Sequence, residues 1–394
     1  MPGILEGVRV LDFGRYIAGP FCATLMADLG ADVIRIERLD GGEDRYVTPV
    51  TEDGMGAMFL QLARNKRSLT LNPRKPDGAE LLAKLVSTAD IVVANLTQEA
   101  LESLGLDYES LKAIKKDIIL VTNTAFGQGG PWSARFGFDG LAQAMSGIMY
   151  MSGDGNHPVR AAAAFVDFNT ASLCAFGAMA ALRHRDLTGE GQEVQGALLR
   201  TALNINGASI MEQDALQIDR EATMNRGQTN GPSDTVRTKD GWVMILVIGP
   251  HQFKRWCEAV GRQDLLERDD LRSDLQRGDN AEELSKILGA WCARHTTEEV
   301  LATMEAANVP AGPVLSPQQA LDHPHVQGIG YFERVEYPTA ENPLAVAGPP
   351  VIFSETPAEV TERAPELGEH TDEILGELGY SPDQIQALRD GRVV

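Results

Sequence analysis

Disulfide patterns and metal-ligand motifs are missing from this 394-residue sequence. The four cysteines, Cys22, Cys174, Cys257 and Cys292, stand far apart and form no C-x-x-C pair, so neither a zinc site nor a disulfide framework is indicated. The seven histidines include no H-E-x-x-H pattern. We therefore expect no bound metal and a reducing, cytoplasmic location.

Positive charge is scarce as well, since 35 basic residues face 56 acidic ones and the formal net charge is -21. A general negative field repels nucleic acids and anionic membranes, so we expect neither as a partner. The amino terminus lacks the basic start and apolar run of a signal peptide, and no uninterrupted apolar stretch is long enough to span a bilayer. An anionic substrate would need a locally basic patch.

The first third of the chain alternates between short apolar strands and helical segments. The pattern predicts a strand at residues 8–13, a helix at 20–29 and a second strand at 31–37, which together form a βαβ unit. Such units imply a parallel sheet whose ligands bind beyond the carboxyl ends of the strands. The same alternation continues with strands at 68–71, 90–94 and 117–126 and helices at 77–87 and 104–116.

The turn after the first strand argues against a nicotinamide dinucleotide as the ligand. It has the sequence Gly14-Arg-Tyr-Ile-Ala-Gly-Pro20 rather than G-x-G-x-x-G. Tyr16 and Ile17 therefore stand where a pyrophosphate needs bare backbone. Only Glu37, at the end of the second strand, matches the position at which a dinucleotide-binding fold binds the ribose.

Basic residues are concentrated between positions 35 and 75. One interpretation is a solvated surface that balances acidic neighbours, which is the usual explanation of a charge run. The other is a site for a phosphate-bearing ligand, because the guanidinium group suits phosphate oxygens. Both interpretations apply to the same set of residues, which comprises Arg35, Arg38, Arg45, Arg64, Lys66, Arg67, Arg74 and Lys75.

Asp167 lies between an apolar run and a helix of small side chains that is predicted to reach about His184. Aspartate is a favoured N-cap, and its charge suits the amino end of a helix. An acid in this position therefore either caps the helix or takes part in chemistry there. A second long helix is predicted at 198–217.

Beyond residue 224 the pattern of elements changes. A strand pair is predicted at 235–238 and 242–248, followed by helices near 252–260, 281–292 and 297–307. We predict an α/β protein with a Rossmann-like parallel-sheet large domain and a smaller α+β domain. The large domain is assigned to residues 1–200 and 330–394, the linkers to 201–224 and 316–329, and the small domain to 225–315.

Several ordered blocks resemble the class III CoA-transferase family, typified by formyl-CoA transferase and the carnitine CoA-transferases. They are Gly7-Val-Arg-Val-Leu-Asp-Phe, Leu29-Gly-Ala-Asp-Val-Ile-Arg-Ile-Glu-Arg38, Asn65-Lys-Arg-Ser-Leu-Thr-Leu-Asn72 and Leu367-Gly-Glu-His-Thr371. The resemblance covers almost the whole chain. It implies an interlocked homodimer that uses acyl-CoA and a carboxylic acid as substrates and has no tightly bound cofactor.

The resemblance also implies a role for Asp167, which occupies the position of the family's aspartyl nucleophile. Transfer of CoA from an acyl thioester to a free acid would then pass through an aspartyl anhydride and an aspartyl-CoA thioester. We expect the amide groups of the helix end to keep this carboxylate ionised. The Gly127-Gln-Gly-Gly130 turn is a candidate source of oxyanion donors, although it is equally well explained as the end of a strand.

Residues that match the family's coenzyme A pocket are spread over the first hundred positions. Two departures leave the phosphate contacts open: Asn95-Leu-Thr-Gln-Glu99 lacks a usual arginine, and Ser103 replaces another. The matching residues are Ile17 and Ala18 on the pantetheine path, Arg38, Leu71, Asn72 and Arg74 at the nucleotide, and Asn95, Leu96 and Thr97 in the same pocket.

A sister branch, the α-methylacyl-CoA racemases, supplies the alternative function. Its Gly-His-Asp block aligns with Gly137-Phe138-Asp139, and phenylalanine cannot carry a proton. Racemase or isomerase activity is therefore disfavoured. Phe138 either packs on the substrate or belongs to the core. The acids that are exchanged stay open, although a formyl or oxalyl substrate is not indicated.

Overall fold

A six-stranded parallel sheet dominates the structure, a computed structural model that describes residues 3–394. Its strand order is β3-β2-β1-β4-β5-β6, and every neighbouring pair is parallel, as the sequence predicts. This order places the topological switch point between β1 and β4. The strands are β1 Arg9–Asp12, β2 Asp32–Glu37, β3 Lys66–Thr70, β4 Ile91–Ala94, β5 Ile119–Thr124, β6 Glu193–Ala197, β7 Ser233–Arg237, β8 Trp242–Leu246, β9 Ala311–Pro313, β10 Phe332–Val335 and β11 Leu344–Ala347.

Short 3-10 turns at Glu43–Tyr46, Gln263–Glu267 and Asp269–Leu271 accompany the α-helices. The helices are α1 Ala18–Ala27, α2 Ala57–Leu62, α3 Pro76–Thr88, α4 Gln98–Leu104, α5 Tyr108–Ile114, α6 Asp139–Met145, α7 Ile148–Met151, α8 Phe165–Thr188, α9 Leu198–Ile205, α10 Gly207–Leu216, α11 Gly249–Ala259, α12 Asp274–Asp279, α13 Ala281–Cys292, α14 Thr297–Ala306, α15 Pro317–Asp322, α16 Pro324–Gly328, α17 Thr371–Glu377 and α18 Pro382–Asp390.

Two helices predicted as continuous are broken in the structure. The segment predicted at 198–217 divides at Asn206, whose side chain donates a hydrogen bond to the Ser146 carbonyl (2.8 Å), and Gly207 follows. The segment predicted at 104–116 is replaced by α4 and α5. Gly105 adopts φ +67° and ends α4, and the Asp107 side chain caps α5.

Both faces of the parallel sheet are covered by helices. Alternate strand residues such as Leu11 and Val92 pack against α3, α5, α17 and α18 on one face. Their neighbours, including Val10 and Val93, pack against α1 and α8 on the other. Burial on both faces explains why these strands are almost uniformly apolar.

Helix α8 is the segment within residues 3–394 that is long and apolar enough to cross a membrane by length and composition alone. This differs from the expectation that the sequence has no such stretch. One helix of this kind is weak evidence for a membrane, because core helices pass the same test. Ala171, Cys174 and Ala178 of α8 are buried in the core described above.

The chain divides into two compact units. The first comprises the described residues of Met1–Ser146 together with Ala161–Ile210 and Ile329–Val394, and it contains the parallel sheet. The second comprises Gly147–Arg160 and Met211–Gly328. Its antiparallel sheet β7-β8-β9 packs with α11, α13 and α14 around the fully buried Trp256. The domain boundaries derived from the sequence stay a prediction.

Candidate functional site

Two neighbouring cavities of the first unit are lined largely by segments at or after the carboxyl ends of strands β1, β2, β3, β4 and β5. The larger has a volume of about 600 Å³. The smaller has a volume of about 290 Å³ and includes Asp167 in its wall. Arg15 and Leu96 line both cavities, so a long ligand can extend from one into the other.

The larger cavity is lined by the residues that were predicted to contact a nucleotide, namely Arg38, Leu71, Asn72 and Arg74. The sequence did not indicate Arg392, which also lines it. This residue adopts φ +52°, which is uncommon outside glycine. The next residue, Val393, is buried, and its carbonyl accepts a hydrogen bond from the Asn72 amide (2.8 Å). No local sequence signal places the end of the chain at this cavity.

Most of the basic cluster has an electrostatic partner inside the protein. Arg35, Arg45, Arg64 and Lys66 are at most 3% exposed and form ion pairs with buried carboxylates. Neither interpretation of the cluster was fully correct, because these four of its eight charges are neither solvated nor free for a phosphate. The buried pairs are Arg35 with Asp12 and Asp44, Arg45 with Glu37, Arg64 with Asp28, and Lys66 with Asp12.

Glu37 is not available for a ribose. Its carboxylate accepts hydrogen bonds from Nη2 (2.6 Å) and Nε (2.7 Å) of Arg45 and from the Ser68 hydroxyl (2.7 Å). Burial opposes its ionisation, but Arg45 and Arg35 outweigh this effect and keep the pKa of Glu37 below its ordinary value. The structure therefore assigns Glu37 to the internal ion network.

Asn95 joins the end of β4 to the turn that follows β1. Its amide oxygen accepts from the Arg15 backbone N–H and its amide nitrogen donates to the Arg15 carbonyl, both at 2.7 Å. Tyr16 adopts φ +60°, a conformation that costs about 1–2 kcal/mol for a residue with a side chain. Asn95 thus fixes a strained turn at the switch point and has no polar atom of its amide left without a partner.

The remaining residues predicted for the coenzyme pocket line the smaller cavity. Ile17 precedes α1, and Ala18 is its first residue. Leu96 and Thr97 follow β4, and the Thr97 hydroxyl caps α4 by accepting from the Ala100 amide (3.3 Å).

Asp167 is not the N-cap of α8. The helix begins at Phe165, so Asp167 is the third residue of its first turn. The cap is supplied by Asp139, whose carboxylate accepts from the amides of Val166 (2.8 Å) and Asp167 (3.2 Å). Gln143 donates to the same Asp139 carboxylate and accepts from the Ala161 amide (3.0 Å). The capping interpretation therefore applies to Asp139.

The environment of Asp167 disfavours its charge. Burial raises the pKa of this half-buried carboxyl, the Asp139 carboxylate raises it further, and the Asp139 backbone amide opposes them only partly, so that the pKa is about 7. We expected the helix amides to keep Asp167 ionised, but they do not hold its pKa down, because the Asp139 side chain already accepts from the nearest ones.

Phe138 lines the same cavity as Asp167 and is 61% exposed, so it is not a core residue. Its ring meets Tyr16 edge-on at 5.6 Å between centroids. The Gly127–Gly130 turn, by contrast, does not line this cavity. The Gly127 amide donates to the Thr124 hydroxyl (3.1 Å) and the Gly130 amide to the Ser133 hydroxyl (2.9 Å). These amides are therefore poor candidates for oxyanion donors.

Comparison with known proteins gives the fold and the cavities their context. Residues 5–371 match the model of CoA-transferase family III. The chain belongs to this family.

Within residues 3–394, no group of three or more histidine, cysteine, aspartate and glutamate side chains is placed to bind a metal ion.

Relatives of this family III enzyme are named for CoA transfer. The beta subunit of succinyl-CoA–L-malate CoA-transferase from Chloroflexus aurantiacus is 32% identical, over 99% of this chain and 98% of that protein. Succinyl-CoA:glutarate CoA-transferase from Mus musculus is 34% identical, over 98% and 88% respectively. A crystal structure of a CaiB/BaiF family protein from Brucella suis superposes with a TM-score of 0.83 at 30% identity, over 96% of this chain and 100% of that one. The family predicted from the sequence is confirmed.

Proposed function

We propose that this CoA-transferase moves CoA between carboxylic acids through covalent intermediates on Asp167. The observation that carries the proposal is the position of this carboxyl in the cavity wall, next to a larger cavity lined by arginines. The nucleotide end of CoA binds in the larger cavity, and the pantetheine arm passes Arg15 and Leu96 to bring the thioester to Asp167.

The nucleotide subsite combines predicted and unpredicted residues. Arg74 and Arg38 supply positive charge for the phosphates, and Leu71 and Asn72 line the adenine side. Arg38 has exposed acidic neighbours in Glu43 (3.3 Å) and Asp40 (3.5 Å), from which a phosphate would have to draw it. Arg392 supplies a further guanidinium in a cavity where the family's usual arginines are missing. Asn95 acts on the ligand indirectly, because its hydrogen bonds to Arg15 fix the turn that borders the pantetheine path.

The chemistry begins when the Asp167 carboxylate attacks the thioester carbonyl. The C–S bond breaks, CoA leaves as a thiolate, and an acyl-aspartyl anhydride forms. The thiolate then attacks the aspartyl carbonyl of the anhydride, which releases the first acid as a carboxylate and leaves aspartyl-CoA. An incoming carboxylate reverses both steps, so that a new acyl-CoA forms and Asp167 is regenerated.

The raised pKa of Asp167 serves this nucleophilic role. With a pKa of about 7, a substantial fraction of the carboxyl is ionised at neutral pH. A carboxylate in a partly desolvated site has lost part of the hydration shell that would otherwise have to be removed during attack. The Asp139 carboxylate, which keeps the first turn of α8 in place, thus also contributes to the reactivity of Asp167.

Racemisation receives no support from the same cavity. Phe138 lies where the racemase branch has a histidine, and it cannot exchange a proton with the α-carbon of an acyl group. Without that histidine, Asp167 would lack the second acid–base group that racemisation requires.

We propose further that the protein is a cytoplasmic homodimer with interlocked chains. Large apolar side chains of α8 are exposed in the single chain, notably Leu173 (47%), Phe176 (73%) and Leu187 (67%). Exposed apolar surface of this kind is typical of subunit contacts. The four cysteines are free and buried, which fits a reducing compartment. Interlocking itself is an inference from the family.

Chemical trapping tests the role of Asp167. Incubation with succinyl-CoA followed by hydroxylamine should convert Asp167 to a hydroxamate, detected by peptide mass spectrometry, because hydroxylamine cleaves thioesters and anhydrides. Asp139 serves as the internal control, since the proposal leaves its carboxyl unmodified. The variant Asp167→Asn should lose at least about 10³-fold in kcat. Turnover by the wild type without modification of Asp167 would refute the proposal.

A further inference from the structure

The smaller cavity contains a cationic side chain that no carboxylate neutralises. Arg15 donates to Asp44 (2.9 Å) and to Glu43 and is therefore engaged. Arg135 also lines this cavity, and no carboxylate within residues 3–394 lies in ion-pair distance of its guanidinium. A cation that lacks an internal partner beside a reaction centre is suited to an anionic group of the substrate.

Arg135 is an exposed residue whose guanidinium stacks on an aromatic ring instead of forming an ion pair. Its guanidinium carbon lies 4.0 Å from the centroid of the Trp132 ring, and its backbone amide donates to the Trp132 carbonyl (2.9 Å). Trp132 in turn meets Phe126 edge-on at 5.4 Å. Stacking restricts the side chain while leaving the guanidinium N–H groups available, so less entropy is lost when an anion binds.

The rest of the wall suits a short carbon chain. Phe136, Phe138 and Leu198 contribute apolar surface to the same cavity. The volume of about 290 Å³ accommodates a small acyl group together with the end of a pantetheine arm. In a dicarboxylic acyl group, the second carboxylate lies at the opposite end of the carbon chain from the carbonyl that Asp167 attacks.

We propose that Arg135 binds the distal carboxylate of a short dicarboxylic acid, both in the acyl-CoA donor and in the free acceptor. The inference rests on the proposed function of the same cavity and adds the class of its substrates. It agrees with the names of the relatives, which transfer CoA between succinate and malate or glutarate. Arginine suits this role because its planar donors match the geometry of a carboxylate.

Acceptor specificity tests the proposal in the full-length enzyme with succinyl-CoA as donor. For the wild type we expect kcat/KM to be higher for glutarate than for pentanoate, which has the same chain length, with formation of glutaryl-CoA or pentanoyl-CoA as the measured reaction. Arg135→Gln should lower this dicarboxylate-to-monocarboxylate ratio at least about tenfold, as expected for the loss of a charged hydrogen-bonding partner. Arg135→Lys should retain part of the preference. Arg294→Gln, an exposed arginine that lines neither cavity, is the matched control.

The outcomes separate this proposal from the one it rests on. An equal loss with both acid classes in Arg135→Gln, or a wild type without preference for dicarboxylates, would overturn the role of Arg135 while Asp167 could still be trapped. Absence of CoA exchange with every acid tested would instead contradict the proposed function. If Arg135→Gln does not fold, Arg135→Lys decides the question, because its dicarboxylate-to-monocarboxylate ratio should fall below that of the wild type and an unchanged ratio would overturn the role of Arg135.

Discussion

At the scale of single residues, two carboxylates at the start of α8 divide the roles that the sequence assigned to one. The Asp139 carboxylate accepts hydrogen bonds from free amides of the first turn, and the Asp167 carboxyl lines the cavity. The two carboxyl groups lie close together, so the buried negative charge of Asp139 raises the pKa of Asp167. The helix cap and the candidate nucleophile are therefore electrostatically coupled.

This coupling predicts a pH-dependent cost in stability. Asp167 has a pKa of about 7 in the folded protein against an ordinary value of 3.8. Between these values the folded state binds a proton that the unfolded state has released, so the stability contributed by this group falls as pH rises from about 4 to about 7. Asp167→Asn removes the charge, and its Tm relative to wild type should be higher at pH 8 than at pH 5.

Thermal melts of wild type and variant at the two pH values measure this difference. Asp186→Asn on the exposed side of α8 provides the control, because it makes the same chemical change away from the cavity. A Tm difference between Asp167→Asn and wild type that stays constant with pH would contradict the raised pKa. The loss of about 1 kcal/mol that a capping role would imply is not expected, since Asp139 supplies the cap.

At the scale of elements, a buried ion network fixes the turn between β1 and α1. Asp12 accepts from the Gly14 amide and from the Lys66 ammonium, both at 2.8 Å. Lys66 also donates to the Pro20 carbonyl (2.8 Å), and Arg35 donates to the Gly14 carbonyl (3.0 Å). Arg35 of β2 and Lys66 of β3 thus donate hydrogen bonds to backbone carbonyls at the two ends of the turn that borders the cavities.

Removing one partner of this network should be costly. Lys66→Met leaves the fully buried Asp12 without its closest cation, and we expect the free energy of unfolding to fall by about 3–5 kcal/mol. Adding Asp12→Asn should recover part of this loss, because the uncompensated charge is removed. Urea denaturation measures both effects.

The matched control is Lys116→Met, since the Lys116 side chain is 74% exposed and its ion pair with Glu190 lies at the surface. A change within about 0.5 kcal/mol is expected there. If Lys66→Met were as mild as Lys116→Met, the network would not contribute to stability in the way its burial indicates.

Elements whose apolar residues follow a local periodicity were predicted from the sequence. Elements that depend on contacts between segments far apart in the chain were missed. Apolar alternation indicated the parallel sheet and its order of strands and helices. Helix α2 and the β10–β11 hairpin were not predicted, because their apolar residues form a small cluster that only exists once residues 59–63 meet 337–364. No periodicity within either segment reports that contact.

At the scale of the whole molecule, the proposed interlocked dimer predicts that folding and association occur together. The exposed apolar residues of α8 would be covered by the partner chain, so a folded monomer should not accumulate on dilution or in mild denaturant. Sedimentation velocity and activity, followed over the same dilution series, provide the measurement. A monomer that sediments alone and turns over substrate would rule out this assembly.

By itself the sequence determined the α/β class, the parallel sheet and the family, and it placed Asp167 near the start of a long helix, because these depend on local periodicity and on ordered motifs. Only the tertiary structure decided that Asp139 caps α8, that Glu37 and most of the basic cluster pair internally, and that Arg135 and Arg392 reach the cavities. The physical reason is that burial and charge pairing depend on residues distant in the chain. These contacts make Asp167 a half-buried carboxyl with a pKa of about 7 rather than an ordinary helix cap.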